Sequence, residues 1–173
     1  HGTDVGVIVE ASTLPITADA AVTRSLNVAL AIMTADCLPI MLANHNGNEI
    51  AAIHAGWRPL ANGIIQNTLA KLESDSETLV AWLGPCISQQ NFQVGSEVRE
   101  VFKALDPSLT EFFVEDDEKK FKADLRAIAI FLLTKLGVNQ IFELADCTYD
   151  RVDKYYSYRR CNISGRMCSI ITM

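Results

Sequence analysis

Histidine is scarce in this chain, with three in 173 residues, and no long basic run is present. The formal net charge is −6, so the composition gives no support to a nucleic-acid-binding surface. No apolar stretch reaches the roughly 18 residues of a membrane span, and no signal peptide is recognisable. We therefore expect a cytoplasmic chain that binds neither membranes nor nucleic acid.

Paired cysteine spacing is also missing. The cysteines are odd in number and form no CxxC pair, and they are Cys37, Cys86, Cys147, Cys161 and Cys168. This pattern argues against a disulfide framework and favours a reducing compartment.

The sequence is 49% hydrophobic, enough for one compact domain with a substantial core. Short apolar runs between turn residues predict strands, and helical spacing of apolar residues predicts helices. Ser96 and Gly137 are the expected helix caps. This order predicts an α+β fold, a single domain over residues 1–173 in which mixed β-sheets in layers are covered by outer α-helices. The predicted strands are 5–10, 28–33, 38–43, 49–53, 79–84, 140–146 and 167–172, and the predicted helices are 59–72, 94–105 and 125–136.

Residues that can bind a metal stand at predicted strand ends. Cys37 directly precedes the strand 38–43, and His54 directly follows the strand 49–53. Antiparallel pairing of these strands would bring the two side chains together. With His1 they would offer two imidazole nitrogens and one sulfur, a set that holds zinc and leaves a position for water. Taken singly, Cys37 is equally explained as a small core residue, and His54 as a hydrogen-bonded residue at a junction.

Three neighbouring residues are further candidates. Arg58 stands near the predicted start of a helix, where it could bind phosphate, although a surface ion pair explains it equally well. Trp57 could stack on a flat ligand or simply pack. Asp36 could act as a general acid or base, or only form a turn. His45 lies in a polar turn and is expected to face solvent.

Six short segments together resemble one known family. They are HGTD, TADCLPI, HAGWR, LGPCIS, SYRR and GRM, which extend from residue 1 toward the C-terminus. The family is the YfiH type, also called the multicopper polyphenol oxidase or laccase-domain family, whose members are regarded as purine nucleoside phosphorylases. Pro59 stands where the family usually has glycine, and Tyr158 stands where histidine is frequent. The family usually begins further upstream, so we expect this chain to lack an N-terminal segment.

The resemblance implies a mononuclear zinc held by His1, Cys37 and His54, with copper possible at the same ligands. It implies phosphorolysis of adenosine, inosine and methylthioadenosine to the base and a sugar 1-phosphate, and deamination of adenosine to inosine. Zinc lowers the pKa of a bound water, as in deaminases that attack C6 of adenine. Cys37, His54 and Asp36 would then be catalytic. Arg58 would hold phosphate, and Asp36 would donate a proton to the base.

Other functions stay open on the sequence alone. A copper-dependent polyphenol oxidase is one, although a multicopper centre needs many imidazoles and the chain has three. A cysteine-dependent hydrolase is another, with Cys37 or Cys86 as nucleophile and His54 as base. A non-enzymatic nucleotide-binding module has little support. The expected partners are purine nucleosides and phosphate, and the chain is expected to be a monomer or homodimer.

Overall fold

The computed structural model describes residues 2–12 and 16–173. The helices are α1 (Trp57–Ala61), α2 (Ile64–Leu69), α3 (Ser96–Leu105) and α4 (Leu125–Lys135), with short 3-10 segments elsewhere. The strands are β1 (Val5–Ile8), β2 (Ala20–Thr23), β3 (Leu30–Thr34), β4 (Leu38–Asn44), β5 (Ile50–Ala55), β6 (Leu79–Leu83), β7 (Gln93–Gly95), β8 (Phe113–Glu115), β9 (Lys120–Ala123), β10 (Gln140–Glu143) and β11 (Met167–Ile171).

A six-stranded sheet forms the centre of the fold, in the order β1-β2-β5-β4-β6-β10. The inner neighbours β2, β5, β4 and β6 pair antiparallel. The two outer pairs, β1 with β2 and β6 with β10, are parallel. A two-stranded antiparallel sheet joins β3 to β11, and a three-stranded sheet has the order β7-β9-β8.

Both faces of the central strands are covered, which explains why β4 and β5 are apolar apart from Asn44 and His54 near their ends. On one face Ile40, Leu42 and Ile53 are fully buried in the core that the four helices share. On the other face Met41 and Ala52 pack with the small sheet of β3 and β11. Layered sheets with outer helices confirm the predicted α+β fold class.

The predicted end of α4 at Gly137 is confirmed, and its start has a cap at Asp124 that was not predicted. The Asp124 carboxylate accepts hydrogen bonds from the backbone N–H groups of Arg126 and Ala127, at 3.1 and 3.0 Å. Gly137 has a φ of 92°, the left-handed conformation that ends a helix at little cost for glycine. The expected cap at Ser96 is wrong, because Gly95 is the cap residue of α3.

The predicted helix over residues 59–72 is also wrong. The chain forms two short helices, α1 and α2, separated at Gly63, whose φ is 88°. Strand β2 and the sheet of β7, β8 and β9 are elements that the apolar pattern did not predict. Each is three or four residues long, too short to show a clear period.

None of the helices in residues 2–12 and 16–173 has both the length and the apolar character needed to cross a bilayer.

Candidate active site

Antiparallel pairing of β4 and β5 brings Cys37 and His54 to one edge of the central sheet. Pro39 lies opposite His54 in the register, so Cys37, two residues before Pro39, reaches the end of β5. Both side chains line the same cavity, which has a volume of about 430 Å³. The predicted convergence of these two residues is confirmed. Asp36, Trp57, Arg159 and Arg166 also line the cavity.

The Cys37 thiol is half-buried and packs closely against Gly56. A Cβ on Gly56 would lie 3.0 Å from Cys37 Sγ, so a side chain at residue 56 would displace the thiol by a few tenths of an ångström. Burial raises the pKa of the thiol to about 11, and the negative charge of Asp36 adds to the rise. The guanidinium of Arg166 acts in the opposite direction. The thiol by itself is therefore not an activated thiolate.

His54 is oriented by a carboxylate that sequence analysis missed. Its Nδ1–H donates to Asp19 Oδ1 at 2.8 Å, and Asp19 Oδ2 accepts the backbone N–H of Gly2. Burial works to raise the pKa of Asp19, but the hydrogen bonds from His54 and Gly2 and the imidazole charge outweigh it and lower that pKa. Metal-bound histidines commonly donate their second ring nitrogen to a carboxylate in this way.

The residues present fit the predicted metal in part. Cys37 supplies a sulfur and His54 a nitrogen to the same cavity. Asp19 accepts a hydrogen bond from the His54 ring, as carboxylates commonly do from metal-binding histidines. The third predicted ligand, His1, lies outside the described residues. Within residues 2–12 and 16–173, no three or more His, Cys, Asp or Glu side chains form a group able to hold a metal. The metal stays a prediction.

Asp36 is a buried carboxylate that joins distant parts of the chain. Its Oδ1 accepts the Thr148 hydroxyl at 2.6 Å, and its Oδ2 accepts the Ser157 hydroxyl and the Arg159 backbone N–H at 3.0 and 2.7 Å. Asp36 also has a φ of 89°, a conformation that aspartate tolerates better than most residues. Three donors on one buried carboxylate favour a positioning role.

Arg58 lies beside the cavity lining and not in it. Its side chain is exposed, and its guanidinium stacks over the Trp57 ring with 4.2 Å to the ring centroid. Trp57 itself lines the cavity. Helix α1 has only five residues, so its dipole adds little to any anion site. Phosphate binding by Arg58 stays a prediction.

Residues of the C-terminal segment form part of the cavity wall, and the sequence analysis gave them no role. Tyr158, Arg159 and Arg166 all line the cavity. They belong to the SYRR and GRM segments, which carried the family resemblance but no assigned chemistry. Two other candidates are elsewhere: His45 is exposed, as predicted, and Cys86 is buried, which raises its pKa to about 12.

Comparison with known proteins shows the family to which this chain belongs. The model of the family described as multi-copper polyphenol oxidoreductase laccase matches residues 1–173. The purine nucleoside phosphorylase YfiH of Escherichia coli (strain K12) is 40% identical over 171 residues, which are 99% of this chain and 70% of that protein. The purine nucleoside phosphorylase of Haemophilus influenzae is 41% identical over 156 residues, which are 89% of this chain and 64% of that protein.

Solved structures agree with the sequence comparisons. A crystal structure of a Neisseria meningitidis protein superposes with a TM-score of 0.88 at 41% identity, and covers 90% of this chain and 64% of that chain. A Bacillus licheniformis protein titled hypothetical protein YfiH gives a TM-score of 0.83 at 26% identity, over 90% of this chain and 61% of that chain. The chain thus belongs to the multi-copper polyphenol oxidoreductase laccase family, and it is similar to proteins named YfiH over 90 to 99% of its length.

Proposed function

We propose that this chain is a purine nucleoside phosphorylase, with purine nucleosides and phosphate as its substrates. The observation that carries the proposal is the cavity shared by Cys37 and His54, which lies inside the segment matched by relatives of that name. A cavity of about 430 Å³ is in the range of small-molecule sites. Trp57, Phe92 and Tyr158 give it aromatic walls, which suit a flat purine base.

Phosphorolysis makes clear demands on such a site. An oxygen of phosphate forms a bond to C1′ of the sugar, the bond from C1′ to the base nitrogen breaks, and the base leaves with that electron pair and takes a proton. The site must therefore hold an anion beside a neutral nucleoside. Arginine is the side chain best suited to phosphate, because its guanidinium donates two parallel hydrogen bonds. The family resemblance suggests Arg58 for this contact, and the cavity wall itself contains Arg159 and Arg166.

Zinc binding and adenosine deamination are finer parts of the same proposal. Cys37, His54 and His1 would hold the metal, and zinc bound there would act as a Lewis acid. The His54–Asp19 pair supports this, since it orients the ring for coordination. Copper at the same ligands would be the variant that the family description favours, although three histidines are too few for a multicopper centre. A cysteine hydrolase is less favoured, because burial raises the pKa of the Cys37 thiol to about 11.

Product analysis tests the proposal. Adenosine is supplied with and without phosphate to the wild type, to Cys37→Ala, and to Cys161→Ala, a matched control at an exposed cysteine. Adenine and ribose 1-phosphate that require phosphate, and are lost in Cys37→Ala only, support phosphorolysis at this site. Inosine formed without phosphate supports deamination. No purine product from folded, zinc-loaded protein would overturn the proposal and leave phenol oxidation as the next assay.

A further inference from the structure

We propose that Arg166 is the residue that binds the phosphate co-substrate in this cavity, an inference that rests on the proposed function. Sequence analysis assigned Arg166 no role, and it favoured Arg58. The assignment depends on where Arg166 lies, on what its guanidinium already contacts, and on how the other arginines near the cavity are engaged.

The backbone places Arg166 beside the segment that carries Cys37. Met167, the first residue of β11, pairs with Thr34, the last residue of β3. Arg166 therefore precedes the paired residues at the point where Ala35 begins the turn to Cys37. Its side chain lines the cavity, and its charge is close enough to act on the Cys37 thiol.

The start of β11 is held in place by a tight contact. A Cβ on Gly165 would lie 2.8 Å from two ring carbons of Tyr156, so the backbone passes close against that exposed ring. The Tyr156 backbone N–H also points at Met167 Sδ, at 3.1 Å. Arg166 lies between these two contacts, so its Cα has a defined position at the cavity edge.

Two nearby arginines are already engaged by remote backbone. Arg159 Nη1 donates to the carbonyls of Asn91 and Gln93, at 3.3 and 3.0 Å. The Arg160 guanidinium donates to the carbonyls of Thr148, Tyr149 and Tyr155 at 2.6 to 2.8 Å. These bonds link separate segments of the chain, and a phosphate could recruit Nη1 or Nη2 of Arg160, or Nη1 of Arg159, only by breaking them. Arg160 is therefore structural, and Nη1 ties Arg159 to the segment 91–93.

Arg166 is engaged differently. Its Nη1 donates to the carbonyls of Ser164 and Gly165, which directly precede it, at 2.8 and 2.9 Å. Its Nε and Nη2 have no hydrogen-bond partner in the described part of the chain, and no carboxylate there lies within 4 Å of the guanidinium. Asp36, the carboxylate among the described lining residues, is occupied by three other donors. The Arg166 guanidinium also lies over the Tyr158 ring, with 5.9 Å to the ring centroid. It can turn two N–H groups toward an anion.

Steady-state kinetics with phosphate as the varied substrate test the assignment. The variants are Arg166→Ala, Arg166→Lys, Arg58→Ala, and the control Arg151→Ala at a partly exposed arginine that pairs with Asp153. We expect Arg166→Ala to raise KM for phosphate by about 10- to 100-fold, the effect of losing a charged bidentate contact. KM for adenosine should stay within about twofold, a separation that general misfolding would not produce. Arg166→Lys should recover only part of the loss, since it keeps the charge without the planar fork.

A normal KM for phosphate in Arg166→Ala would overturn the assignment, and a large rise in Arg58→Ala in the same assay would move the phosphate to Arg58. If the wild type yields no base and no sugar 1-phosphate, the proposed function fails. Phosphorus-31 line broadening of inorganic phosphate then decides the role of Arg166 by itself. Broadening by the wild type and not by Arg166→Ala supports the assignment, and equal broadening, or none by the wild type, overturns it.

Discussion

Replacing Asp36 separates a positioning carboxylate from a proton donor. Asn keeps the shape of Asp and also tolerates the φ of 89° at this position. Its Oδ1 can accept from Ser157 and Arg159, while its Nδ2 donates to the Thr148 hydroxyl, which can accept. Ala can do none of this. The two variants therefore remove different things: Asp36→Asn removes the charge and the proton, and Asp36→Ala removes the contacts.

The expected sizes follow from these contacts. Asp36→Ala leaves three donors without their acceptor at a site that is 8% exposed, and each unsatisfied donor costs about 1 kcal/mol or more. The left-handed backbone adds about 1 kcal/mol for a residue with a Cβ and no polar side chain. We expect Asp36→Ala to lower the free energy of unfolding by about 4 kcal/mol, and Asp36→Asn by about 1 to 2 kcal/mol. If Asp36 only positions its neighbours, Asp36→Asn keeps kcat/KM within about tenfold of the wild type.

Urea unfolding and kcat/KM for adenosine phosphorolysis are measured on the same preparations. Asp153→Asn, at an exposed aspartate, is the matched control. A proton donor contributes about 100- to 10,000-fold to the rate. The positioning argument is refuted if Asp36→Asn unfolds at nearly the wild-type urea concentration but loses more than about 100-fold in kcat/KM.

Three further substitutions test features of the fold. Gly56→Ala should push Cys37 Sγ away, since the new Cβ would lie 3.0 Å from it, and lower zinc content and activity while costing only about 1 to 2 kcal/mol of stability. Glu49→Gln should destabilise by about 2 kcal/mol at pH 7, because two backbone N–H groups and the Arg24 guanidinium bind the Glu49 carboxylate. Burial works to raise the pKa of Glu49, but these partners lower it overall. The stabilisation is then complete above the unfolded pKa of about 4.3 and is lost as the pH falls through the folded pKa, so the variant and the wild type should converge in acid. Gly137→Ala should cost about 1 kcal/mol in thermal unfolding, since its φ is 92°.

Contrary results for Gly56→Ala and Glu49→Gln are specific. Unchanged zinc content and activity in Gly56→Ala would mean that the thiol position is not critical. A stability difference for Glu49→Gln that stays constant down to pH 3 would show that the charge contributes nothing. Gly47→Ala, with a φ of 67° and open space around it, is the control for backbone strain without crowding, and should keep full activity.

Local patterns were enough to predict the sheet centre and the convergence at its edge. The apolar runs of β4 and β5 and the turn between them determine that Cys37 meets the end of β5, because antiparallel strands return to their starting edge. The end of α4 at Gly137 was equally predictable, because glycine commonly supplies the left-handed residue that ends a helix.

Other parts of the site depend on partners far away in the chain. The role of Asp19 follows only once β2 lies beside β5, and a four-residue strand has no detectable period. Arg166 reaches the cavity only because β11 pairs with β3. Arg58 looked more promising in the sequence, since it follows His54 by four residues, but its exposed side chain lies over Trp57.

The link between Asp36 and Arg159 spans 123 residues, and the pairing of β3 with β11 spans a similar separation. Contacts of this range are slow to form, because a long loop must close before they contribute stability. During synthesis, residues 34–37 emerge long before their partners at 157–171, so the cavity cannot assemble on a nascent chain that ends before β11. The rate at which active protein accumulates is therefore expected to depend on late docking of this C-terminal segment, even where the final stability is unchanged.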